Sequence, residues 1–167
     1  MKDLKKLFNE CMEEVKAIGI KPGEIIKLEI NYRFKKTWGR CSYVDRKKKT
    51  YMIEISDKLL QDEIDDNATK TTIIHEILHS CEKCMNHGPE WKKLAELVNK
   101  NYPQYNIKRT TSSSEKGIEF NPDNFKYVLE CNGCKKLIGY HRMCKIIKYS
   151  DYFKCAKCGG KFVLIKK

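Results

Sequence analysis

The sequence, 167 residues long, lacks any apolar run of membrane-spanning length. Its Lys-rich beginning, Met1 to Lys6, is not followed by the apolar core of a signal peptide. These two absences argue against a membrane protein and against a secreted one. We therefore expect a cytoplasmic protein that has no membrane partner.

Histidine is also scarce, with four residues, whereas cysteine is abundant, with nine. Because a cytoplasm keeps thiols reduced, these cysteines are expected to be zinc ligands and buried thiols rather than disulfides. The hydrophobic content of 41% excludes a compositionally disordered chain. The length suits one domain with a small appendage.

The net charge of +12 is concentrated in the last third of the chain. Residues 1–107 contain 20 basic and 17 acidic residues, whereas residues 108–167 contain 14 basic and 5 acidic residues. The second segment therefore carries a net charge of +9. Such an excess can attract phosphate backbones, although a lysine-rich surface that only keeps the protein in solution has the same composition.

Hydrophobic spacing predicts an α+β fold for the first two thirds of the chain. Apolar residues at helical spacing predict three helices, at residues 3–18, 67–81 and 89–100. Alternating apolar residues predict three strands in an antiparallel-type sheet, at residues 26–32, 38–44 and 51–55. A charged hairpin tip is expected at residues 45–49.

The polar segment KRTTSSSEKG begins at Lys108, has no periodicity and is typical of a linker. It divides the sequence into a predicted domain at 1–107, a linker at 108–118 and a Cys-rich unit at 119–167. The last unit is too small to fold on hydrophobic burial alone.

The motif HExxH occurs inside the second predicted helix, from His75 to His79. Residues four apart lie on one helix face, so His75 and His79 can present imidazole nitrogens to one metal ion. Glu76 lies beside them, where its carboxylate can take a proton from a water molecule that zinc has made more acidic. The motif therefore predicts a zinc-dependent hydrolase with Glu76 as the general base.

A catalytic zinc needs a third protein ligand and an open position. The next histidine is His87, which precedes a Gly88-Pro89 corner that would hold its ring toward the metal. We expect His87 to be this ligand. Glu90 and Glu96 are the alternative ligands, and a surface histidine that only caps the third helix is the non-functional interpretation.

Cys81 and Cys84 lie in the short connector between His79 and His87. They can be inert helix cysteines, a redox-sensitive pair or soft ligands that compete for the metal. The inert interpretation is favoured, because structural cysteines usually behave as small hydrophobic residues.

Two CxxC motifs lie in the C-terminal unit, and twenty residues separate them. Each motif can supply two thiolates from a tight turn to a tetrahedral structural zinc site, as in a β zinc ribbon. The predicted ligands are Cys131, Cys134, Cys155 and Cys158. Together with the histidine site, this predicts two Zn²⁺ ions per chain.

Basic and aromatic residues interleave in the same unit. Cations can neutralise phosphates while aromatic faces stack on unpaired bases, but the aromatics can equally form the small core of a ribbon. The candidate nucleic-acid contacts are Lys135, Lys136, Arg142, Lys145, Lys148 and Lys154. Docking of a protein substrate is the competing use of this surface.

HExxH followed by a short connector and HGPEW at residues 87–91 resembles the SprT-like metallopeptidase family, which includes the Spartan-type proteases. The segment from Thr37 to Cys41 resembles that family's strand motif, and the C-terminal ribbon is similar to the arrangement in bacterial SprT-like proteins. The resemblance implies a zincin-like domain, zinc-dependent proteolysis and association with DNA. It also implies ligand roles for His75, His79 and His87 and the role of general base for Glu76.

Three functions stay open on the sequence. We expect a zinc endopeptidase that cleaves protein, including protein bound or crosslinked to DNA, with the basic tail locating the substrate. The first alternative is a non-catalytic, zinc-containing nucleic-acid-binding or regulatory protein, and the second is a hydrolase of non-peptide amides. An edge strand at 38–44 or 51–55 would align a peptide substrate by β-addition.

Overall fold

The structure is a computed structural model that describes residues 1–111, 116–117 and 120–167. The chain divides into two compact units, Met1–Ile118 and Glu119–Lys167. Of the predicted linker, residues 112–115 and 118 lie outside the described residues. No helix in the described ranges is long and apolar enough to cross a membrane.

Within its described residues, the first unit contains three α-helices and one three-stranded sheet, and this confirms the predicted α+β class. The elements are α1 (Leu4–Ala17), β1 (Glu24–Asn31), β2 (Gly39–Asp45), β3 (Thr50–Ser56), α2 (Asp66–Ser80) and α3 (Pro89–Asn101). Each begins and ends within two residues of its predicted bounds.

The three strands pair in the order β1-β3-β2. β2 and β3 form an antiparallel hairpin, whereas β1 runs parallel to β3. The predicted antiparallel arrangement is therefore right for the hairpin and wrong for β1. β3 is the central strand, and its burial agrees with this position. It is buried at every residue but Met52, while both outer strands are partly exposed.

A β-bulge changes the face pattern of β1. Ile25 and Lys27 pair with consecutive residues of β3, Tyr51 and Met52, so Ile26 has no partner and is 54% exposed. Ile25 packs against the core instead. The alternation that the sequence shows from Ile26 onward therefore misplaces this residue.

α2 is buried almost all round, with ten buried residues among its fifteen. Such a helix needs partners for its polar side chains. The hydroxyl of Thr69 donates to the carbonyl oxygen of Leu59 at 2.6 Å, and that of Thr71 donates to the carbonyl oxygen of Tyr105 at 2.9 Å. α2 is thus the fixed centre of the first unit.

The second unit contains, among its described residues, a three-stranded antiparallel sheet and a one-turn helix. The elements are β4 (Tyr127–Cys131), β5 (Leu137–Tyr140), α4 (Lys145–Lys148) and β6 (Phe162–Lys166), with strand order β5-β4-β6. The buried cluster described for the sheet has two cysteines among its four members, Leu129, Cys131, Cys155 and Phe162. This small core agrees with a unit that relies on its cysteines.

The central position of β3 predicts an unequal response to truncation along the hairpin. Ile53→Ala, at a fully buried site, is expected to lower the free energy of unfolding by about 2–5 kcal/mol, because it leaves a cavity. Val44→Ala, at a half-exposed site on β2, is the control and should cost less than about 1 kcal/mol. Urea denaturation of both variants measures the difference, and equal losses would contradict this arrangement.

Candidate metal centre

Three histidines converge on one point in the first unit. α2 carries His75 and His79 one turn apart, and His87 lies in the connector just before α3. Their Nε2 atoms are 3.2 Å apart for His75–His79, 3.2 Å for His79–His87 and 2.9 Å for His75–His87. Three imidazole nitrogens that face one another are a donor set that suits zinc.

Backbone carbonyls hold the opposite ring nitrogens of two of these histidines. Nδ1 of His75 lies 3.1 Å from the carbonyl oxygen of Lys108, and Nδ1 of His79 lies 2.7 Å from that of Cys84. Because a carbonyl oxygen can only accept, each Nδ1 carries the proton and each Nε2 keeps a free lone pair. These two bonds therefore fix both the ring orientation and the tautomer that a metal requires.

The three histidines have lowered pKa values. Burial, followed by the neighbouring His79 and His87, lowers the pKa of His75 to about 3. Burial also lowers the pKa of His79, and burial with nearby His79 and Arg109 lowers that of His87. All three rings are thus neutral at pH 7, which is the form that coordinates a metal.

Trp91 forms one wall of the histidine cluster. Its side chain is 2% exposed, and its indole centroid lies 4.7, 5.6 and 4.6 Å from the ring centroids of His75, His79 and His87. The helical spacing of apolar residues in α3 explains why Trp91 is buried, but it does not indicate the contact with the histidines. Its position in HGPEW, four residues after His87, is the signal that could have indicated its place in the site.

Glu76 is buried beside the cluster, 6% exposed. Burial raises the pKa of Glu76 to about 8, and a hydrogen bond from the backbone N–H of Cys41 opposes this rise. Gly39 makes room for the carboxylate, since a Cβ there would lie 2.7 Å from Cγ and 2.8 Å from Oε1 of Glu76. With this pKa Glu76 keeps its proton at pH 7, and a cation held by the neighbouring histidines would lower the pKa again, so that the carboxylate could exchange protons.

A cleft of about 310 Å³ opens in front of His75 and Glu76. Part of its wall is the segment from Thr37 to Gly39, which belongs to the strand motif noted in the sequence. The other described lining residues are Lys36, Thr71, Thr72, Lys108, Arg109, Thr110, Thr111 and Lys116. Several of them lie in a segment that the sequence indicated only as a linker.

The two connector cysteines stay outside the histidine cluster. Burial raises the pKa of Cys81 to about 12 and also raises that of Cys84, which is typical of buried structural thiols. Glu90 and Glu96 were the alternative third ligands. Among the described residues, the group that could hold a metal in the first unit consists of His75, His79 and His87 and contains neither glutamate. Cys84 contributes through its backbone, whose carbonyl oxygen accepts from His79.

Four cysteines form a second cluster, in the second unit. Their Sγ atoms all lie within 4.8 Å of one another, with 3.4 Å for Cys131–Cys158 and 3.7 Å for Cys134–Cys155. The backbone N–H of Cys134 lowers the pKa of Cys131, and those of Lys157 and Cys158 lower the pKa of Cys155 to about 6. These backbone donors thus favour the thiolate form that zinc binds for Cys131 and Cys155, whereas the pKa of Cys158 is raised to about 11 beside the neighbouring thiols.

The turns around this cluster depend on glycine. Gly159 has a φ of +73°, and a Cβ on Gly160 would lie 2.9 Å from Sγ of Cys131. His141 and Cys144 lie between the two CxxC motifs, and neither belongs to a cluster among the described residues. His141 stacks on Phe125 instead, with ring centroids 4.9 Å apart.

All six candidate nucleic-acid contacts are exposed. The ammonium of Lys148 on α4 lies 5.2 Å from the ring centroid of Tyr149, and Tyr152 close by is 85% exposed. Lys135, in contrast, forms an ion pair with Glu130 at 3.0 Å. The cations that follow Cys144 therefore share a surface segment with exposed aromatic rings, whereas Lys135 is engaged by its own sheet.

Comparison with known proteins identifies the family. The chain belongs to the SprT-like family, whose sequence model matches residues 4–111, and this confirms the resemblance noted above. It is also similar to the human germ cell nuclear acidic protein, 29% identical over 151 residues that cover 85% of this chain and 20% of that protein. The chain thus spans about a fifth of that relative's length. The match extends into the second unit, because 85% of the chain is more than the first unit contains.

The two clusters predict the metal content of the protein. The purified chain is expected to bind two zinc ions, and His87→Gln is expected to bind one, because two histidines hold zinc far more weakly than three. His141→Gln, in a histidine outside both clusters, should still bind two. Elemental analysis after dialysis measures these values. Two ions in His87→Gln would show that another group is the third ligand.

Proposed function

We propose that this protein is a zinc-dependent peptidase whose active site consists of His75, His79, His87 and Glu76. One observation carries the proposal. Three neutral imidazole nitrogens lie within 3.2 Å of one another, and the buried carboxyl group of Glu76 lines the same cleft as one of these histidines, His75. This combination is the one that metal-assisted peptide hydrolysis needs.

Both clusters fit zinc by the chemistry of their donors. His75, His79 and His87 would hold the catalytic ion, which supplies Lewis acidity to a water molecule and to the carbonyl group of the substrate. The four cysteines would hold a structural ion. Bonds from four thiolates to zinc would compensate for the small stabilisation that the hydrophobic cluster of the second unit provides. Metal binding and folding are therefore coupled in this proposal.

Glu76 is the residue that moves protons in this proposal. Its carboxylate accepts a proton from the attacking water and delivers it to the nitrogen of the leaving amine, so Glu76 is unchanged after each turnover. The N–H of Cys41 and the space above Gly39 hold this carboxylate at the cleft. The same two residues explain why the start of β2 is part of the site.

β2 is the strand that would align the substrate. β3 pairs with a strand on each side, so it has no open edge for a substrate peptide. β2 pairs only with β3 in the described sheet, so its other edge is open. Trp38 and Gly39, at the beginning of β2, also line the cleft. An extended peptide that pairs with the outer edge of β2 would pass in front of Glu76.

The second unit would bring the peptidase to DNA. Exposed cations and exposed aromatic rings occur together from Lys145 to Lys154, which suits single-stranded nucleic acid with accessible bases. The name of the human relative describes a nuclear protein, which supports a location near chromosomal DNA. In this proposal the first unit cleaves protein and the second unit selects where.

Removing the carboxylate of Glu76 tests the proposed chemistry. Glu76→Gln is expected to keep its zinc but to lose about 10²–10⁴-fold in kcat/KM, because the amide cannot accept a proton. Glu96→Gln, an exposed carboxylate on α3, is the control and should cleave like the wild-type chain. Cleavage of unfolded casein by the zinc-loaded proteins measures the effect. Equal rates for Glu76→Gln and wild type would refute the mechanism.

Exposed aromatic rings test the recruitment by DNA. The double variant Tyr149→Ala, Tyr152→Ala is expected to bind single-stranded DNA at least about tenfold more weakly, because each base loses its stacking partner. Tyr32→Ala, an exposed tyrosine of the first unit, should leave affinity unchanged. Fluorescence anisotropy with a labelled oligonucleotide measures both. An unchanged affinity in the double variant would remove this surface from the proposal.

A further inference from the structure

The outer edge of β1 has no neighbouring strand among the described residues. β1 pairs with β3 on one side, so the backbone N–H and C=O groups on its other side are open to a further strand. The bulge at Ile26 interrupts the beginning of β1, but residues 27–31 pair with β3 in unbroken register. An open and regular edge of this kind is a template for the addition of another strand.

An apolar groove runs along the same edge. It has a volume of about 580 Å³ and lies between β1 and the beginning of α1. Its apolar lining residues are Leu4, Phe8, Ile25, Ile26, Leu28 and Ile30. Ile26 is 54% exposed, and Phe8 and Leu28 are only partly buried against the core. Apolar surface thus lies beside open backbone groups, a combination that marks an interaction surface.

The charged side chains of β1 are complementary to those of a second β1. Lys27 and Glu29 flank Leu28 and point to the face of the sheet that Leu28 does not occupy. They form an ion pair at 2.7 Å, and their side chains are 54% and 44% exposed. If a second β1 runs antiparallel about a two-fold axis at Leu28, Lys27 of each copy lies opposite Glu29 of the other. Each charge then has an opposite charge beside it and across from it.

The order of these charges selects one register. A two-fold axis at Lys27 would place this lysine opposite its own copy, and an axis at Glu29 would do the same for the glutamate. Both arrangements oppose like charges, which destabilises a pair of strands. The axis at Leu28 avoids this, and it also brings Leu28 against its copy and Ile26 beside Ile30 of the other chain. The apolar side chains and the charges therefore favour the same register.

We propose that β1 is a dimerisation surface whose partner is a second copy of this chain. The two sheets would join edge to edge in the order β2-β3-β1-β1-β3-β2, with the two apolar grooves beside the axis. A two-fold axis closes the assembly at two chains, because each β1 then has a partner on both sides. β1 and β2 are opposite edges of the sheet, so the dimer leaves β2 of both chains accessible. The inference does not depend on the proposed peptidase function.

Charge exchange tests this interface in the full, zinc-loaded chain by sedimentation velocity over a concentration series. The wild-type chain is expected to dimerise. Lys27→Glu and Glu29→Lys each place two like-charge pairs at the interface, so each variant alone is expected to dimerise at least about tenfold more weakly. An equimolar mixture of the two variants restores opposite charges across the axis and is expected to dimerise with close to wild-type affinity.

Two control variants carry the same changes of charge elsewhere in the first unit. Lys47→Glu lies in the turn between β2 and β3, and Glu96→Lys lies on α3, and both positions are outside the groove lining. Both variants should dimerise like the wild-type chain. A loss of dimer in the controls equal to that in the β1 variants would show that net charge is responsible, and this would overturn the inference.

The double variant Lys27→Glu, Glu29→Lys exchanges the two charges within one chain and should also dimerise, which separates the interface from a defect in folding. A wild-type chain that stays monomeric up to about 1 mM would overturn the inference. Wild-type affinity in the two single variants would place any dimer contact elsewhere and would also overturn it. Failure of both the mixture and the double variant to dimerise, with circular dichroism spectra like that of wild type, would refute the register.

Discussion

The packing of the buried helix α2 against the turn that begins α3 is the constraint on which the candidate site depends. α2 fixes His75 and His79 on one face, but a third nitrogen reaches them only because Gly88-Pro89 ends the connector and starts the next helix at once. Trp91, one turn further, contacts all three imidazole rings. A shift of this turn would separate His87 from its two partners and open the cluster.

The two units hold their candidate metal ligands in place in different ways. In the first unit, hydrophobic burial of α2 and β3 orders the backbone, and carbonyl groups of Lys108 and Cys84 then orient the histidines. In the second unit the hydrophobic cluster is small, so the four cysteines are part of the core itself. A metal would therefore add chemistry to a preformed site in one unit and stability to the other.

Sequence periodicity predicted the helices and strands well because burial of one face is a local property. It did not predict that β1 runs parallel to β3. The direction of β1 relative to its neighbour depends on which strand it pairs with, and it pairs with β3, the most buried of the three. The bulge at Ile26 was also invisible, because it depends on the register with β3. The His, Glu and Cys candidates were identified by spacing, and the structure brings them together. Trp91 and Arg109 were missed as parts of the site, because tertiary folding returns them to it.

The central claim is that three histidines hold a zinc ion beside a carboxylate that is not a ligand. A crystal structure of the zinc-loaded chain, with anomalous scattering recorded at the zinc edge, tests it most directly. The account predicts one anomalous peak among the four cysteines and another about 2.0–2.1 Å from the Nε2 atoms of His75, His79 and His87. It also predicts that Glu76 lies outside the coordination sphere. A histidine cluster without a peak, or a zinc ion bound by Glu76 or Cys84, would contradict the account.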